Sequence, residues 1–186
     1  YWGAMYGVKS FMSKQAGWTL AKSEKNPEPY ILERITLVKG DVIIIADAYD
    51  GRYITESVRD FYEHAASLID TELVVFMGHN AFLDRQIDTV EVTADAERKA
   101  NAYRKTAVFA CYSKDYFLPR VVKTGATPLI FTNSRMAPEA YILDALINKW
   151  ASGATNIEIH EAVAQAYDKY QKSGINGARK LFYYEK

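Results

Sequence analysis

Two short stretches carry residues that could do chemistry together. "VVFMGHN" ends in His79 and Asn80, and "AVFACYS" contains Cys111, the only cysteine among 186 residues. A thiol near its free pKa is a weak nucleophile. An imidazole within reach takes its proton or stabilises the thiolate. The pair is suited to acyl transfer, in which the sulfur attacks a carbonyl and the histidine moves protons. Backbone N–H groups at strand tips can hold the oxyanion that forms, and Gly78, Asn80 and Cys111 are the candidate donors. Taken alone, Cys111 reads as a small buried hydrophobe and His79 as a satisfied polar residue. Their shared position after apolar runs makes the pair a candidate site.

For the two to meet, their strands must be neighbours that end at one edge. Short apolar runs read as strands at "YILERITLV", "VIIIA" (42–46), "LVVFM" (73–77), "TAVFA" (106–110) and "TPLIFT" (127–132). The unbroken β-branched run of "VIIIA" is expected to be buried on both faces. Helical spacing is expected over Tyr1 to Gln15, Ile54 to Ala66, Ala94 to Arg104, Asp115 to Val122, Pro138 to Trp150 and Asn156 to Lys172. "KSEKNPEP" is expected to be a polar loop stopped by its prolines, and Lys39-Gly40-Asp41 a turn. Strands alternating with helices predict an α/β fold of three layers: a mostly parallel sheet with helices on both faces. Ligands in such folds bind beyond the carboxyl ends of the strands.

That rim holds further candidates. Asp47 could orient His79, receive a basic substrate group or help to bind a cation; it could equally cap a turn. Ser134 and Arg135 follow the last strand and could shape a substrate site, with Arg135 gripping a carboxylate. A charge at a helix entry is the plainer reading of Arg135. Asp84 and Asp88 follow His79, but no second histidine sits at ligand spacing, so no metal site is expected. His64 and His160 fall within helices as surface or packing residues.

Composition narrows the classes. The chain has 23 basic and 23 acidic residues and 49% hydrophobic content. A neutral chain without a basic cluster argues against nucleic-acid binding. No apolar run is long enough to span a bilayer. One cysteine cannot form an internal disulfide, which leans towards a reducing, cytoplasmic setting; an exported bacterial protein without its leader would read the same way. Dinucleotide and P-loop fingerprints are missing, and no cofactor is expected. The sequence sets no oligomeric state.

The order of these motifs, histidine at one strand end and cysteine at the next, resembles the caspase–haemoglobinase group of cysteine peptidases. The likeness covers roughly Val42 to Thr132. It implies a caspase-like domain over residues 1–186, a His79–Cys111 dyad, and a peptide or protein substrate. The chain also resembles a bacterial family of this type in "YWGAMYGVKSF", "ADAYDG", "GHN", "ACYS" and "MAPEAYILDAL". The opening on Tyr1, without an initiator methionine, reads as a fragment lacking an upstream first strand. Asn80 and Ser113 depart from the glycines of the pattern. They motivate an alternative, a caspase-like scaffold for protein interaction without catalysis. A flavodoxin-like binder of a small ligand or phosphate is a third reading.

Overall fold

A computed structural model describes residues 2–66, 71–87 and 104–185. Among these residues the architecture is mixed α/β with two sheets. The first is antiparallel and follows chain order, with β1 (Thr19–Glu28), β2 (Ile31–Lys39) and β3 (Val42–Tyr49). The second is mostly parallel. Its β4 (Leu73–Met77), β5 (Lys105–Phe109) and β6 (Thr127–Thr132) run together, and β7 (Phe182–Tyr184) lies antiparallel against β6.

Helices cover both faces of the parallel sheet. Ala107 and Phe109 of β5 join one apolar cluster with α5 (Ala140–Ala151) and α6 (Asn156–Gln171). Val108 and Ala110 join the other with α2 (Ile54–Ala66) and with Val121 of α4 (Leu118–Lys123). The side-chain period of two puts alternate residues of one strand into two cores. Ile35 and Leu37 of β2 belong to the same cluster as Phe109, so the two sheets share a core. A capping box at Thr155 and Glu158 starts α6.

Several expectations need correction. "VIIIA" is not buried on both faces. It forms β3, paired with β2 through a two-residue turn at Gly40, whose φ is +56°. Val42, Ile44 and Ala46 pack inward, while Ile43 and Ile45 are 65% and 68% exposed. "KSEKNPEP" is not a loop, because most of it lies in β1. That strand is polar and largely exposed, and a register shift between Lys25 and Glu28 accommodates Asn26 at positive φ and Pro27. The first helix, α1, covers only Val8–Met12, because Gly7 is extended and Gly3 and Gly7 weaken the preceding turn. The helix expected over Asp115 to Val122 is two short ones, α3 (Ser113–Tyr116) and α4, with Pro119 in the first turn of the second. The helix expected at Pro138 begins at Ala140. The end of the chain forms α7 (Ile175–Leu181) and then β7. The helix expected from Ala94 to Arg104 falls largely outside the described residues, as does Asp88. Among the described residues no helix is long and apolar enough to cross a membrane.

A carboxylate ties the N-terminal segment to the antiparallel sheet. Glu33 sits on the inward face of β2 and is 3% exposed. It accepts hydrogen bonds from Trp2 Nε1 (2.7 Å), Lys9 Nζ (2.5 Å) and Ser23 Oγ (2.7 Å), and Lys25 Nζ lies 2.9 Å away. Burial alone would push its pKa up. The donors Lys9, Ser23, Trp2 and Lys25 together outweigh burial and hold it well below the usual carboxylate range.

Candidate functional site

The parallel register pairs Met77 with Phe109. Gly78 N–H extends the ladder by donating to the Phe109 carbonyl at 3.1 Å. His79 and Cys111 each lie two residues beyond the carboxyl ends of these neighbouring parallel strands. No hydrogen bond joins the His79 ring to Cys111 Sγ: the ring bonds Asp84, and the sulfur bonds the Met136 backbone.

Asn80 joins the tips. Its side chain is fully buried. Nδ2 donates to the Cys111 carbonyl at 2.6 Å, and Oδ1 accepts from Phe82 N–H at 3.1 Å, capping a single 3-10 turn, Ala81–Leu83. An amide can make both bonds at once, one as donor and one as acceptor; a glycine here could make neither. The ring of His79 is half exposed, and its Nε2 makes a short hydrogen bond with Asp84 Oδ2.

Cys111 is half-buried. Its Sγ accepts from Met136 N–H at 3.4 Å, with the Met136 carbonyl 3.7 Å away. The sulfur therefore faces the segment between β6 and α5, which includes Ser134 and Arg135. Tyr112 turns the chain sharply after Cys111, at φ +53°, and donates its N–H to the Ser134 carbonyl at 3.0 Å. Ser113 is also fully buried. Its hydroxyl donates to the Val108 carbonyl and accepts from Thr132 N–H, each at 2.8 Å. The Thr132 hydroxyl in turn accepts from Ser113 N–H at 3.1 Å and donates to the Ala110 carbonyl. This closed network latches the tip of β5 to β6 with neutral groups only.

No family model matches the chain, and neither a curated protein nor a solved structure matches it.

The other expected site residues divide. Ser134 and Arg135 are exposed on the Cys111 rim. Among the described residues no carboxylate lies within ion-pair distance of Arg135. Gly78 lies at the rim, but its N–H is already bonded to Phe109 and is not a free oxyanion donor. Asp47 lies in β3 of the other sheet, gripped by Arg34 at two points, Nε–Oδ1 2.6 Å and Nη2–Oδ2 2.8 Å. It is part of a cross-strand ion pair rather than a free carboxylate for substrate. Arg34 directly opposite Asp47 in a hairpin was the signal available for this. Asp50 binds Arg52 and caps a local turn.

Among the described residues no three metal-ligating side chains come together. An open groove along β7 is lined by Asn133, His160, Arg179 and Phe182 among others, and contains neither His79 nor Cys111. His160 there is a packing residue, with Nε2 3.0 Å from the carbonyls of both Arg179 and Phe182.

Proposed function

We propose that this chain is a caspase-like cysteine peptidase or related amide hydrolase that uses His79 and Cys111. The observation that carries the reading is the placement of these residues at adjacent tips of parallel strands, with Asn80 bonded to the Cys111 carbonyl. Cys111 Sγ, having lost its proton to His79, attacks the scissile carbonyl and forms a C–S bond. The tetrahedral intermediate collapses, the C–N bond breaks, and His79 returns the proton to the leaving amine. His79 then deprotonates a water that hydrolyses the thioester, releasing a carboxylic acid and the thiol. Backbone N–H groups of Asn80 and Cys111 hold the oxyanion. Ser134 and Arg135 flank the cleaved bond, and the guanidinium favours a substrate carboxylate.

The competing reading is a caspase-like scaffold that binds a protein without cleaving it. The bonds that occupy Asn80 and Ser113 favour it, because they give both departures from the glycine pattern a purely structural use. Alkylation by iodoacetamide near neutral pH decides between them. Cys111 is the only thiol, so any labelling reports on it. A catalytic pair makes Cys111 react faster than free cysteine, and His79→Ala removes the difference. Equal rates in both proteins, no faster than free cysteine, would sink the catalytic reading.

A further inference from the structure

Asp84 stands five residues beyond His79, and in an extended loop it would lie far from the imidazole. The 3-10 turn prevents that. The Asn80 carbonyl accepts from Leu83 N–H at 3.1 Å, and the Ala81 carbonyl accepts from Asp84 and Arg85 N–H at 3.2 and 3.1 Å. The chain folds back and brings Asp84 Oδ2 against His79 Nε2. Asn80 both begins this turn and fixes the Cys111 carbonyl. A single buried amide thus sets the cysteine backbone and the partner of the histidine. Among the described residues no lysine or arginine lies within ion-pair distance of Asp84.

We infer that Asp84 is the positioning residue of the pair: its carboxylate holds His79 Nε2–H and leaves Nδ1 to exchange protons with Cys111 and the leaving group. The inference rests on the proposed His79–Cys111 reaction. When the thiol passes its proton to Nδ1, the ring becomes an imidazolium, and the Asp84 carboxylate stabilises that charge. No proton moves to Asp84. The carboxylate fixes the ring orientation and the tautomer in which Nδ1 is the base. The side chains of His79 and Asp84 are 49% and 56% exposed, so water screens the pair and its effect is small.

The test uses the full chain with Asp84→Asn, Asp84→Glu, His79→Ala and the double variant His79→Ala/Asp84→Asn. Proton NMR at low temperature should show a downfield imidazole N–H in the wild type that is lost in Asp84→Asn and in His79→Ala. Iodoacetamide alkylation of Cys111 should slow by about threefold in Asp84→Asn, a size fitting an exposed charge pair, and recover in Asp84→Glu. In the His79→Ala background, Asp84→Asn should change nothing. Wild-type alkylation by Asp84→Asn, with His79→Ala slow, overturns the role of Asp84 and leaves the catalytic pair standing. The same slowing in the His79→Ala background also overturns it, since the carboxylate would then act on the thiol by charge alone. If His79→Ala alkylates like the wild type, the catalytic pair fails, and the role of Asp84 falls with it.

Discussion

In the antiparallel sheet the buried polar side chain of β2 is a carboxylate, Glu33, surrounded by two lysines, a serine and a tryptophan. At the tips of the parallel sheet the buried polar side chains are an amide and two hydroxyls, Asn80, Ser113 and Thr132. The first arrangement depends on charge and therefore on pH. The second holds its geometry with groups that do not titrate in the range where a thiol and an imidazole exchange protons. The sheets also differ in cover. Both faces of β5 are packed, whereas β3 leaves Ile43 and Ile45 open on one face. The rim that carries His79 and Cys111 thus stands on the better packed of the two sheets, held by neutral bonds.

The sharpest contrast is in packing. Phe109 is fully buried, with the Phe182 ring 6.2 Å away edge-on. It belongs to the cluster that joins the two sheets. Phe109→Ala should cost about 3–5 kcal/mol, through lost transfer energy and the cavity left behind. Urea unfolding measures it. A loss below about 1 kcal/mol would mean that the parallel sheet is not the rigid part of the molecule.

Charge gives the second contrast. Glu33→Gln should cost about 2 kcal/mol at neutral pH, the scale of hydrogen bonds to a charged group. The folded-state pKa of Glu33 is depressed from an ordinary 4.5. Its contribution is therefore present above that value and lost as pH falls below it towards the folded one. Wild-type stability should fall between about pH 5 and pH 3, and the variant should lose less over the same range. Glu161, held down to about 2 by Arg179, keeps some acid sensitivity in both proteins. Parallel stability curves for the two, from urea titrations at each pH, would remove Glu33 as the acid-sensitive link and weaken the contrast between the sheets.

The same division governs how much could be read in the sequence. "LVVFM" and "TPLIFT" emerge with their boundaries because a strand packed on both faces has to be apolar throughout. "VIIIA" carries the same signature yet is half exposed. A β-branched run reports strand preference and cannot report what covers each face. β1 is hidden by its polarity, since an exposed strand is held by ladder bonds and ion pairs that leave no apolar period. At the site, the placement of His79 and Cys111 at strand ends is legible because it depends only on where apolar runs stop. The pairing of Asp84 with His79 is not legible, because it depends on a 3-10 turn that one asparagine side chain begins. Asp47 misleads for a related reason: position at a strand end does not say which sheet the strand joins.

The smallest expected effect tests the cover of β3. Ile45→Lys places a charge where the side chain is 68% exposed, on a strand that among the described residues pairs with β2 alone. A surface change of this kind should alter stability by no more than about 0.5 kcal/mol, with lost β-propensity accounting for a few tenths. A lysine on an edge strand also resists pairing with another chain. The thermal midpoint, measured at several protein concentrations, separates the two effects. A shift that is small and independent of concentration leaves the outer face of β3 open to water. A loss of 2 kcal/mol or more would show Ile45 packed against something in solution. β3 would then be covered on both faces, and the continuous β-branched run of "VIIIA" would describe its surroundings correctly after all.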